Sequence, residues 1–332
     1  MQSQQNHTSS HEAQPLVSFI ITYYNFPVQM LCECIDSILA LSLTPAEREI
    51  VVIDDGSDVS PMNGLMQYGD DIVYLRQKNG GLSRARNKGI DVATGTFIQF
   101  IDADDRLLQT PYEHCLDIVR FNADVDIVMF DFCRTVNATT TYNDEKPMSG
   151  AEYLRHHNIH GTAWGYLFRH LMLGDLRFTP NIWHEDEEFT PQLLLRAEHV
   201  YYTSAKAYLY TLRPKSIMTS RDDVNSQQKH LNDIRGVIGR LQKLADTLNH
   251  NDRLAMQRRV AQLTMDYIYN TICLTHSRRE LNSRLDELRA VGLFPLPDRD
   301  YSQKYRWFRR MTNSPLGLTM LLHTLPLLKR ER

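Results

Sequence analysis

Three apolar runs near the start of the chain each end in a polar cluster. Residues 17–22 run into "TYYN" (22–25), residues 49–53 into "DDGS" (54–57) and residues 97–101 into "DADD" (102–105). Short runs that are apolar on both faces predict strands buried in a parallel sheet. Residues 72–75 form a shorter run of the same kind. Between these, residues 28–41 carry apolar positions at helical spacing. "LSRARNKGIDVATG" reads as a second helix, with Ser83 as N-cap and Gly95 as its stop. Residues 110–122 predict a third helix with Pro111 early in it, and residues 125–130 a further strand. Strands alternating with helices at this spacing imply a doubly wound, mainly parallel α/β sheet. Ligands bind such sheets beyond the carboxyl ends of the strands, where all three clusters fall.

The third cluster poses a physical problem. Asp102, Asp104 and Asp105 crowd three carboxylates onto the end of an apolar strand. Mutual repulsion and loss of water cost several kcal/mol unless a cation answers them. A D-x-D at a strand end can hold magnesium or manganese through oxygen ligands, and the metal can bridge to phosphate oxygens. It also stabilises charge on a departing diphosphate.

The rest of the chain sets limits. It has 332 residues, 42% hydrophobic and 23% charged, enough for one large domain or two smaller ones. A formal net charge of −3 argues against a nucleic-acid binder. The charge is uneven: residues 299–332 carry +6 and the remainder −9. Five cysteines match no zinc spacing and predict free thiols in a reducing compartment. No apolar stretch follows a basic start, so no signal peptide is expected, and residues 1–14 predict a disordered N-terminus. Residues 224–290 are mostly helical in pattern. In "YSQKYRWFRRM", Tyr301, Tyr305, Phe308 and Met311 fall along one side of a helix among Lys304, Arg306, Arg309 and Arg310. Two readings stay open for 299–332: a basic amphipathic segment on an anionic membrane surface, or a terminal helix pair docked on the body.

"VSFIITYYN", "IVVIDDGSDVSP", "GGLSRARNKGIDVATGTFIQFIDADD" and "NIWHEDEEF" together resemble the successive signatures of family 2 glycosyltransferases. The resemblance covers residues 15–220. It implies a GT-A fold, Rossmann-like with a mainly parallel sheet flanked by helices, and here a C-terminal helical extension. It also implies a nucleotide-sugar donor, taken as UDP-linked, a divalent cation and inversion at the sugar carbon. Tyr24 would stack on the base beside Thr22 and Asn25. Asp55 would accept from a uracil nitrogen, with Asp54 next to it. Arg84, Arg86 and Asn87 would serve the diphosphate. Asp104 would be the central metal acid, with Asp102 toward the ribose and sugar and Asp105 on the other side. Asp186 would be the general base and Glu185 its neighbour near the sugar. His184 is a weaker candidate ligand, and residues 184–188 also read as an acidic helix start.

"TAWGYLFRHLM" resembles the acceptor segment of capsule- and lipopolysaccharide-type members, with Tyr166 where those carry lysine. Trp164 there fits either a sugar platform or a core position. Arg213 and Ser216 match polar positions that close the catalytic domain. The organisation expected is 1–14 disordered, 15–134 for the donor, 135–220 for the acceptor, 221–298 a helical extension and 299–332 the tail. The enzyme would act in the cytoplasm or at the inner membrane face on a glycan or lipid-linked acceptor in surface polysaccharide synthesis. Two rivals remain. A sugar nucleotidyltransferase would open with a Gly-rich, Arg-bearing loop, which "TYYNFPVQM" lacks. A non-catalytic nucleotide-sugar binding or scaffold protein is disfavoured by the intact acid cluster and Glu185–Asp186 pair.

Overall fold

The computed structural model describes residues 14–136, 141–212 and 224–330. The chain forms two compact units. The first comprises the chain to Glu145 together with Trp164–Gly174 and Tyr201–Thr211. Its strands are β1 (Val17–Tyr23), β2 (Arg48–Asp54), β3 (Val73–Arg76), β4 (Phe97–Asp102), β5 (Arg106–Leu107), β6 (Ile127–Cys133), β7 (Tyr166–Arg169) and β8 (Val200–Leu209). Its helices are α1 (Val28–Leu39), α2 (Met62–Leu65), α3 (Leu82–Val92) and α4 (Gln109–Phe121).

The sheet order is β3-β2-β1-β4-β7-β6-β8-β5. The half from β3 to β4 is parallel, as the alternation with helices requires. Beyond β4 the sheet turns mixed: β7 runs antiparallel to β4 and to β6, and β5 antiparallel to β8. All seven residues of β1 are buried. On one side Phe19, Ile21 and Tyr23 join Leu31, Ile35 and Ile38 of α1 and Tyr112 and Leu116 of α4 in the main core. On another face Val51 and Ile53 pack with Ala85 of α3. Helix α3 lies so close to β1 that a Cβ on Gly89 would sit 2.3 Å from the Ile20 side chain. Ser83 is buried inside α3 and is not its cap; Gly81 takes that place at a φ of 86°, where a side chain would be strained.

The second unit comprises Lys146–Ala163, Asp175–Val200 and Leu212–Arg332. It holds α5 (Gly150–His156), α6 (Glu185–Leu194), α7 (Val224–Thr247), α8 (His250–Thr275), α9 (Arg278–Ala290), α10 (Gln303–Thr312) and α11 (Pro315–Arg330). Leu231, Ile238 and Leu241 of α7 pack with Met256, Ile268 and Ile272 of α8 and Leu281 and Leu285 of α9. The tail joins this core. Tyr305 and Phe308 are buried, as are Leu318, Leu321 and Leu325, and Tyr301 and Met311 pack against the same cluster. The side of α10 that a bilayer reading requires is therefore spent on the protein, and the docked helix pair is the arrangement adopted. Lys304, Arg306, Trp307 and Arg310 face outward. Among the described residues no helix is long and apolar enough to cross a membrane.

Candidate active site

Strand register brings the three polar clusters of the first unit to one end of the sheet. Tyr23 of β1 lies opposite Asp54 of β2, and Thr22 opposite Asp102 of β4. The buried carboxylates beyond β2 organise loops. Asp54 accepts from the Ser57 N–H at 2.9 Å and the Tyr74 hydroxyl at 2.8 Å. Asp55 accepts from Gln77 Nε2 at 2.6 Å and from the N–H groups of Gly80 at 2.9 Å and Gly81 at 2.7 Å. Gly56, at a φ of 76°, lets this loop close: a Cβ there would lie 2.6 Å from the Asn79 nitrogen. Asn25 has a φ of 53° and exchanges two bonds with Asp58.

The acid cluster is answered in part by the protein. Arg86 of α3 is 3% exposed, and its Nη2 donates to Asp102 Oδ1 at 3.2 Å. Asp105 is buried and accepts from the Tyr208 hydroxyl at 2.8 Å and the Thr211 N–H at 2.7 Å. Tyr208 in turn accepts from the Asp102 N–H at 3.1 Å. Burial, and then the charge of Asp102, push the Asp105 carboxyl up to about 8. Burial followed by Asp105 and Asp102 raises the Cys34 thiol, so that buried sulfur stays protonated. Asp104 is half-buried.

Among the described residues no three His, Cys, Asp or Glu side chains form a group able to hold a metal ion by themselves. The donor set fits a different kind of site. In such a site Asp104 and Asp102 would supply one or two carboxylates and substrate phosphates the rest, which is how magnesium is ordinarily held. Asp105 spends both oxygens on Tyr208 and Thr211.

The remaining expected donor residues lie in the same unit. Thr22 is buried, Tyr24 is 45% exposed, Arg84 is exposed and Asn87 half-buried. Trp164 is buried and stacks on Tyr208 at 4.3 Å and on Tyr210 at 5.8 Å, which leaves little ring for a sugar. Arg213 and Ser216 lie outside the described residues. Sequence reasoning does not single out Tyr208, although period-2 alternation along the run that ends β8 puts Tyr208 and Tyr210 on the same side.

Glu185 and Asp186 belong to the second unit and open α6, whose first turn also holds Glu187 and Glu188. The helix N-terminus favours this negative charge. His184 precedes them in a left-handed conformation, φ 67°. Glu185 is buried and Asp186 half-buried, with Asp186 Oδ1 accepting from the Glu187 N–H at 2.8 Å. The two histidine nitrogens of His184 and His230 are 2.8 Å apart.

A mixed sheet with acids at the end of its central parallel strand, flanked by helices, defines a GT-A glycosyltransferase fold. Solved structures agree on it. The chain superposes on Staphylococcus aureus TarS 1–349 in complex with UDP-GlcNAc with a TM-score of 0.63 at 17% identity, covering 95% of this chain and 91% of that one. It superposes on the mannosyltransferase PcManGT from Pyrobaculum calidifontis, in complex with GDP-Man and Mn2+, with a TM-score of 0.56 at 13% identity, covering 95% and 87%. Residues 18–173 match the model of Glycosyl transferase family 2. The glycosyltransferase EpsJ of Bacillus subtilis is 31% identical over 222 residues, 61% of this chain and 63% of EpsJ. Over residues 18–173 the chain is similar to the family 2 glycosyltransferases.

Proposed function

We propose that this glycosyltransferase moves a sugar from a UDP-linked donor, with inversion, to a glycan or lipid-linked acceptor in surface polysaccharide synthesis at the cytoplasmic side of the membrane. The observation that carries the reading is the acid cluster Asp102, Asp104 and Asp105, level with Thr22 at the carboxyl end of the parallel strands. Residues 15–134 take the donor and 135–220 the acceptor side. Tyr24 presents an exposed ring to the base, with Thr22 and Asn25 beside it. Asp55 holds the loop at Gly80 and Gly81 and keeps a lone pair for a ring N–H. Arg84 and Asn87 meet the diphosphate, while Arg86 acts through Asp102.

Asp104, with Asp102, is the place for manganese or magnesium, which when bound stabilises charge on the departing diphosphate. Inversion requires the acceptor oxygen to form its bond to the anomeric carbon as the carbon–oxygen bond to the diphosphate breaks. The acceptor proton passes to a carboxylate, and Asp186 is that base, with Glu185 near the sugar. The exposed side of α10, with Lys304, Arg306 and Arg310, is the part of the tail available to an anionic surface.

The experiment is a panel of UDP-, GDP- and dTDP-sugars tested for thermal stabilisation with manganese. A ligand at a hundred times its Kd adds about 2.7 kcal/mol, so the donor stands out. Stabilisation by none of the UDP-sugars beside a clear response to another nucleotide moves the donor class. No response to any nucleotide-sugar removes the donor-site reading.

A further inference from the structure

Two of the four acids that open α6, Glu187 and Glu188, are held by helices far along the chain. Glu188 is buried, and Arg240 of α7 grips its carboxylate with a fork: Nε donates to Oε1 at 2.6 Å and Nη2 to Oε2 at 2.9 Å. That bond raises the Arg240 guanidinium above its ordinary value. Glu187 pairs with Arg259 of α8, itself buried and anchored by Nη1 donating to the Ile159 carbonyl at 2.9 Å. Glu187 has no slack toward Gly161 either: a Cβ there would lie 2.1 Å from its carboxylate.

The chain entering the helix is clamped by the start of α7. The Trp183 N–H donates to Asp233 at 2.9 Å, Lys229 Nζ donates to the Asn181 carbonyl at 3.2 Å, and His230 meets His184. Asn181 and His184 both sit at positive φ, 64° and 67°, backbone shapes that persist only where surroundings impose them.

We infer that Arg240 and Arg259 are positioning residues for the Glu185–Asp186 pair, so that the C-terminal helices are part of the catalytic apparatus. This rests on the reading of Asp186 as base. Four carboxylates on one turn repel each other, and that repulsion works to unwind the turn. Committing Glu187 and Glu188 to arginines removes two of the four charges from the balance. It also fixes the turn in direction, because a guanidinium fork sets the orientation of a carboxylate where a lysine sets only distance. A base must stay within hydrogen-bond reach of its proton, and a misplacement of about 1 Å can cost ~10²-fold in rate.

Arg240→Gln is the variant of choice, because the Arg240 side chain is 42% exposed and its loss leaves no cavity. Two readouts apply to the full chain. Hydrogen exchange of residues 187–194 should speed up at least about tenfold, with the strands of the sheet unchanged. Turnover of UDP-GlcNAc with manganese, followed as UDP release, should lose at least about tenfold in kcat with KM within twofold, the split expected when only the transition state suffers. Arg240→Lys should recover part of the charge effect and little of the orientation. Unchanged exchange in Arg240→Gln overturns the inference whether or not this donor is turned over. A lower Tm with wild-type kcat also overturns it, reducing the ion pair to stability alone. Asp186→Asn in the same assay separates the two claims. If it is active while Arg240→Gln is not, the base is another acid of the same turn and the positioning role stands. If it is inactive while Arg240→Gln is not, the positioning role falls alone.

Discussion

Arg86, almost wholly buried on α3, donates to the half-exposed carboxylate of Asp102 at the end of β4 across 3.2 Å. One guanidinium thus offsets part of a three-acid cluster before any cation arrives. Arg86→Met keeps much of the packing and deletes the charge. We expect a loss of about 2 kcal/mol, below the roughly 3–5 kcal/mol for breaking a fully buried pair because Asp102 retains water. Manganese with UDP should return part of that loss in a melting experiment. A variant as stable as the wild type without metal would show that Arg86 does not balance the cluster.

Asp104→Asn removes a carboxylate from the same cluster without changing its size. Repulsion on Asp102 and Asp105 falls, so stability without metal should hold or rise slightly. Manganese-dependent UDP binding should drop by tenfold or more, on the order of 1.4 kcal/mol. Titration calorimetry with and without manganese checks this, and an unaltered metal-dependent affinity would take Asp104 out of the metal site.

Asp266 of α8 carries a pH prediction. Burial raises its carboxyl above the ordinary value, against the pull of Lys304, Arg259 and His160. A raised folded pKa means the fold binds this proton more tightly than the unfolded chain does. The contribution is complete below the unfolded value of about 3.9 and is lost as pH rises through the folded one. Asp266→Asn should therefore match the wild type in acid and exceed it at neutral pH. Urea unfolding of both proteins at pH 4 and pH 7.5 measures the difference. A deficit at pH 7.5 that is absent at pH 4 would show that the carboxylate is a net stabiliser.

Ending the chain at Asp298 removes Tyr305, Phe308, Leu318, Leu321 and Leu325 from the core of the second unit. Each large side chain withdrawn from water contributes about 1.5–3 kcal/mol, so their joint loss approaches the whole stability of a domain. The shortened protein should bind an apolar dye and lose the thermal transition of the second unit, while UDP still binds the first. Wild-type melting with lost affinity for anionic vesicles would instead assign the tail to a membrane.

The sequence alone determined the parallel half of the sheet and the edge at which its polar clusters meet. Residues 17–22, 49–53 and 97–101 are apolar on both faces, which leaves them one environment, and parallel strands put their polar ends on one edge. That information is local, and local pattern carries it. It did not say how the acids would be shared out. Tyr208 reaches Asp105 across 103 residues, and Arg240 reaches Glu188 across 52. Nor did it choose between bilayer and protein for Tyr305 and Phe308, because an amphipathic helix looks the same whichever apolar phase receives it. Those outcomes belong to the tertiary structure. A buried charge or an apolar stripe states only that it needs a partner, and packing of segments far apart in the chain decides which one it gets.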